Sequence, residues 1–217
     1  MLILCSNGLS SNKIISALKE KFKGLKKSAL VVTADNEYKE NNYHVNRCVE
    51  ELKALNLSVD IFDIDFQDPK LLLNYDVVEF IGGNPYYLLN SIRTHKSEEV
   101  LKQLVKEKVL IGWSAATFVF GPSLELVNKY SPEMNFLNLK DLNGLNLTNI
   151  EVLPHYSKFI NKFENFEEKC FLYEKEKNVK VIRLNDGEAI LIDNNKESAK
   201  LHWWSATLSS FYLKIKL

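Results

Sequence analysis

Residues 107–117 read Glu-Lys-Val-Leu-Ile-Gly-Trp-Ser-Ala-Ala-Thr. Val109, Leu110 and Ile111 form a short apolar run, the pattern of a buried central strand. Gly112 breaks that run, and the small residues Ser114, Ala115 and Ala116 follow. A strand that turns sharply into a helix with one hydroxyl at the apex is the pattern of a nucleophile elbow. The tight bend would leave the Ser114 hydroxyl above the sheet edge and aim the Ala115 N–H at a developing oxyanion. On its own the stretch is a weak version of G-x-S-x-G, because Ala116 stands at the last glycine. An ordinary strand followed by a capped helix would read the same way.

Working outward, the segments before Ser114 alternate between two periods. Strands are predicted over residues 2–5, 29–33, 57–64 and 76–81. Helices are predicted over 13–22, with Ser11 as cap, and over 43–55, 86–92 and 98–106. Asp68 before Pro69 opens a further short helix. This alternation implies an α/β fold, a doubly wound and mostly parallel sheet flanked by helices. In such sheets sites form at the carboxyl ends of strands, where both Gly82-Gly83 and Ser114 fall. After Ser114 the alternation weakens. A helix over 118–128 is interrupted near Gly121-Pro122, and 131–148 reads as irregular. A strand over 150–153 ends in Pro154-His155-Tyr156, and 161–175 is helical. Residues 179–184 and 189–193 read as a hairpin around Asn185-Asp186-Gly187, a strong turn signal, and form a small C-terminal extension. The tail, with Trp203, Trp204, Phe211 and Tyr212, is expected to add edge strands. The whole chain, 1–217, reads as one domain without repeat or linker.

Lysine plus arginine and aspartate plus glutamate both number 28, so no net field favours nucleic acid or an anionic membrane. No apolar run approaches membrane-spanning length. The apolar N-terminus, residues 1–6, lacks the marks of a leader and reads as a first strand. Three scattered cysteines, Cys5, Cys48 and Cys170, show no metal spacing and suggest a reduced, cytoplasmic setting. No metal or cofactor is expected.

A serine nucleophile needs a base. Of four histidines, only His155 directly follows an apolar strand, with Pro154 stiffening its turn. The base needs an acid to hold its tautomer. Asp186 and Glu188 are the downstream candidates, and Glu125 and Glu133 are alternatives. Gly82-Gly83-Asn84 has two readings. In one, Asn84 caps a helix that starts at Pro85. In the other, the glycines let substrate approach and free one amide as an oxyanion donor.

Gly82-Gly83-Asn84 before Leu88-Leu89, then Gly112-Trp113-Ser114-Ala115, then Pro154-His155-Tyr156 resemble the peptidases of family S51, peptidase E and its cyanophycinase relatives. The order and strand contexts match over roughly residues 1–193. The resemblance implies a class I glutamine amidotransferase-like sheet, Ser114 as nucleophile and His155 as base. It implies an oxyanion hole from the amides of Gly83 and Ala115, with Asn84 near substrate. Three departures stand out. Ala116 replaces the usual glycine. Lys129 falls where peptidase E has its acid, whereas Asp186 matches the acid of the cyanophycinase branch. Residues 157–170 contain Lys158, Lys162 and Lys169 but no arginine, so a preference for N-terminal aspartate is not expected. The expected activity is serine-type hydrolysis of small peptides, dipeptides above all. The alternative is an impaired relative that binds a small ligand or peptide. A domain serving an amidotransferase would want cysteine at the elbow. The aromatic tail leaves a homodimer open.

Overall fold

The computed structural model describes residues 1–192 and, as backbone, Tyr212–Ile215. The apolar runs form strands β1 (Leu2–Cys5), β2 (Lys27–Val31), β3 (Ser58–Phe62), β4 (Val77–Phe80) and β5 (Val109–Trp113). Among the described residues the main sheet has seven strands, in the order β3-β2-β4-β5-β1-β8-β9. β8 is Ala189–Ile192 and β9 is Tyr212–Ile215. The first five pair in parallel. β8 is antiparallel to β1, and β9 is antiparallel to β8. The sheet is therefore mixed and mostly parallel, as the sequence pattern implied. Tyr212–Ile215 supplies an edge strand, and the rest of the tail, with Trp203, Trp204 and Phe211, lies outside the described residues.

Alternation along the strands feeds two cores. Ile3, Leu30, Val77, Ile111 and Trp113 face helices α1 (Asn12–Lys19) and α2 (Val45–Lys53). Leu4, Val31, Val78, Phe80 and Leu110 face α3 (Pro85–Thr94), α4 (Glu98–Glu107) and α5 (Ala115–Phe120). Burial on both faces explains why β1, β5 and β8 are apolar throughout rather than alternating. The caps follow the sequence. Ser11 accepts the Lys13 N–H at 3.2 Å, and Asp68 accepts that of Lys70 at 3.0 Å.

Beyond Ser114 the structure corrects two expectations. The helix expected over 161–175 is two helices, α7 (Tyr156–Lys162) and α8 (Phe166–Lys177), with left-handed Asn165 between them. The interruption expected at Gly121-Pro122 is present and separates α5 from α6 (Glu125–Tyr130). The hairpin is the larger correction. β7 (Val181–Arg183) pairs in parallel with β6 (Glu151–Leu153) in a separate two-stranded sheet. β8 instead joins the main sheet beside β1. The turn at 185–188 is thus a passage between two sheets: β8 is buried at every position and takes the edge of β1, whereas the partly exposed β7 pairs with β6. Asp193 lies outside the described residues. Residues 131–148 are irregular but anchored: Gly144 donates to the Pro122 carbonyl at 2.8 Å, and Leu145 to that of Val119 at 2.8 Å.

Candidate active site

β1 and β5 lie side by side with Cys5 opposite Trp113. Their carboxyl ends therefore place Ser6 and Ser114 next to one another, and the Ser114 N–H donates to the Cys5 carbonyl at 3.3 Å. Ser114 has φ 53° and ψ −112°, a strained conformation for a residue with a side chain. This is the elbow the sequence implied. It closes because neighbours are small: a Cβ on Gly112 would come within 2.6 Å of the Phe120 ring and 3.2 Å of the Ala116 Cβ. The bare face of Gly112 makes room for Ala116, which is fully buried there. Thr117 ties α5 down by donating to the Cys5 and Gly112 carbonyls at 3.0 and 3.1 Å.

The glycine turn packs on the same elbow. A Cβ on Gly82 would lie 2.8 Å from the Ser114 Cβ. Gly83 has φ +155°, and a Cβ there would lie 2.2 Å from the Ala34 carbonyl oxygen, so only glycine fits. Among the described residues the Gly83 N–H meets no acceptor, and Ala115, first in its helix, has none within the helix. Asn84 accepts the N–H groups of Tyr86 and Tyr87 at 2.9 and 3.1 Å and donates to the Met134 carbonyl at 2.8 Å. Both ends of its amide are engaged within the chain. These bonds cap α3 and tie it to the irregular segment.

The histidine arrives from the small sheet. His155 follows β6 and begins α7 in a left-handed conformation, φ 56° and ψ 27°. Its N–H donates to the Ser6 Oγ at 2.9 Å, and its Nδ1 lies 2.6 Å from Asp186 Oδ1. Ser6 Oγ in turn donates to the same Asp186 oxygen at 2.8 Å. Lys158 Nζ sits 2.5 Å from the other oxygen. The passage between sheets delivers this carboxylate: Gly187 donates to Asn7 Oδ1 at 2.9 Å and Ser6 donates to the Glu188 carbonyl at 3.1 Å. The other acids are engaged elsewhere. Glu188 accepts from the Asn185 N–H at 3.0 Å, Glu125 pairs with Lys177, and Glu133 accepts from Ser131. Lys129 pairs with Glu176 at 2.7 Å.

Burial pushes the His155 imidazole below its ordinary value, and Asp186 only partly restores it. A neutral, proton-accepting ring is therefore favoured near neutral pH. Burial pushes the Asp186 carboxyl up, but its bonds to Lys158, Ser6 and His155 outweigh that and hold it below the usual carboxylate range. Two residues here escaped the sequence reading. Ser6 links strand, histidine and acid, and no sequence signal marks it, because its place beside Ser114 comes from the pairing of β1 with β5. His44, taken from sequence as part of a polar helix, sits edge-on to the Trp113 ring at 5.3 Å.

A profile of peptidase family S51 matches residues 2–200. The chain belongs to peptidase family S51. An uncharacterized peptidase of Listeria monocytogenes is 26% identical over 137 residues, covering 60% of this chain and 66% of that protein. Peptidase E of Shewanella denitrificans is 31% identical over 106 residues, covering 48% and 43%. The match thus spans less than two thirds of the length of these relatives. In fold, the S51 chain is similar to a peptidase E-like protein of Listeria monocytogenes, with a TM-score of 0.75 at 20% identity, covering 100% of this chain and 98% of that one. A peptidase from an acI-B1 Actinobacterium gives a TM-score of 0.65 at 16% identity, covering 87% of this chain and 81% of its own. Among the described residues no helix is long and apolar enough to cross a membrane.

Proposed function

We propose that this S51 chain is a serine-type peptidase acting on small peptides, dipeptides above all. The observation that carries the reading is the His155–Asp186 bond at 2.6 Å, tied through Ser6 to the strand end beside the Ser114 elbow. Ser114 attacks the scissile carbonyl while His155 takes its proton. Asp186 holds the ring so that the nitrogen facing away from it is the free base. The amides of Gly83 and Ala115 stabilise the tetrahedral oxyanion, at about 3 kcal/mol for each donor. His155 then gives its proton to the leaving amine, and water repeats the sequence on the acyl-enzyme. No metal or organic cofactor enters these steps. The family and the peptidase names of the relatives support hydrolysis of peptide bonds. The three scattered cysteines agree with a reduced, cytoplasmic setting.

The test is turnover of a dipeptide panel by the wild-type protein and by Ser114→Ala, with fluorophosphonate labelling of both. Labelling of Ser114 and loss of nearly all turnover in the variant are expected. Equal turnover by both proteins would remove Ser114 from the mechanism. An unlabelled, inactive wild type would favour an impaired relative that only binds its peptide.

A further inference from the structure

Glu79 is an outlier of a different kind. It lies on β4 in the middle of the main sheet, paired in register with Leu30 on one side and Ile111 on the other. It is fully buried, and neither carboxylate oxygen has a hydrogen-bond partner. A buried carboxylate without a partner costs several kcal/mol, roughly, unless a proton or a cation meets it. The Trp113 indole N–H eases both Glu79 and Cys48 but reaches hydrogen-bonding geometry with neither, and it too is unpartnered.

What Glu79 faces is chemically specific. Cys48 and Glu51 lie three apart on α2 and so share one helical face. The Cys48 thiol and one carboxylate oxygen from each of Glu51 and Glu79 lie within 4.8 Å of one another. A tetrahedral ion with bonds of about 2.0–2.3 Å closes such a gap with small side-chain movements. Glu51 is already oriented, since one oxygen accepts the Leu9 N–H at 3.0 Å and the other pairs with Arg47. Its remaining lone pairs are available. Arg47 also stacks over the Trp113 ring at 5.5 Å. Three anionic ligands, one guanidinium and one divalent ion sum to zero charge, which is what a buried site requires.

We propose that Cys48, Glu51 and Glu79 form a binding site for a zinc-class divalent cation, behind the Trp113 side of the elbow. The thiolate selects against the hard ions magnesium and calcium, and three protein donors leave one position for water. Glu51 lies under the Gly8-Leu9 loop. No spacing motif announces the site, because the third donor comes from a strand remote in sequence from the helix.

The experiment titrates Co²⁺ and then Zn²⁺ into the reduced, chelator-treated full chain. One Co²⁺ per chain is expected, with a thiolate-to-cobalt charge-transfer band that Zn²⁺ abolishes by displacement. Cys48→Ser removes the band and Glu79→Gln weakens Zn²⁺ binding by at least about tenfold. Cys170→Ser, a buried cysteine outside the cluster, changes neither. Circular dichroism of each metal-free variant checks folding. If Cys48→Ser does not fold, Glu79→Gln alone decides. No charge-transfer band in the wild type, a band that survives Cys48→Ser, or wild-type Zn²⁺ affinity in Glu79→Gln would each overturn the site. Because these readouts are binding and absorbance, they stand apart from peptidase turnover.

Discussion

Asp186 carries more of the site than its place in an Asn-Asp-Gly turn suggests. One oxygen meets both His155 and Ser6, and the other meets Lys158. Because burial holds the His155 pKa below its ordinary value, its neutral form persists to lower pH. The acid limb of kcat/KM should therefore lie below about 6.5, the ordinary histidine value. Asp186→Asn removes the groups that raise His155, so the limb should move lower still while kcat falls by about 10²–10⁴ through loss of the tautomer. A pH–rate profile of both proteins checks this. The same carboxylate has a stability signature. Its folded pKa lies below the ordinary aspartate value of about 3.9, so its contribution is full above that value and is lost as pH falls through the lowered one. Acid-unfolding curves of Asp186→Asn should lack that component.

At the scale of elements, two glycines decide how loops meet the sheet. Gly83 turns β4 into α3 with its missing Cβ pressed on the Ala34 carbonyl, a rigid backbone neighbour. Gly83→Ala must shift the turn and its amide, so kcat should fall by about 10²–10³, as for loss of one oxyanion donor. Fluorophosphonate labelling rates and kcat measure it. Gly144 sits where the irregular segment crosses α5, and a Cβ there would lie 2.1 Å from the Gly121 carbonyl oxygen. Gly144→Ala should destabilise the protein by about 2–4 kcal/mol, at the upper end for single substitutions. Urea unfolding checks that value. The parallel strands, their helices and the glycine turn were legible in sequence because each follows from local periodicity, caps and turn chemistry. The split of 161–175 into α7 and α8 was not. Asn165 reaches a left-handed conformation at small cost, and nothing in an apolar-polar pattern marks that.

The whole molecule brings together groups that are far apart along the chain. Ser6, His155 and Asp186 come from the first strand, the small sheet and the passage between sheets. Ser6 is the joint: it accepts from one and donates to the other. Ser6→Ala removes two buried hydrogen bonds, the acceptor of the His155 N–H and a donor to the ionised Asp186 carboxylate, and should destabilise the protein by about 2–4 kcal/mol. It should lower kcat by about tenfold to a hundredfold through misplacement of the ring, with KM little changed. Steady-state kinetics beside thermal unfolding separates the two effects. If kcat is unchanged, Ser6 is a structural bond only.

By itself the amino-acid sequence determined the strands, the elbow around Ser114, the glycine turn and the histidine that follows a strand. Each of these is written in neighbours a few residues apart. Only the tertiary structure decided which carboxylate meets His155, that β7 and β8 part into different sheets, and that Ser6 and Glu79 face the groups they do. These outcomes turn on strand pairing across the chain. A hydrophobic pattern specifies which faces are buried, but not which buried edge a strand will join.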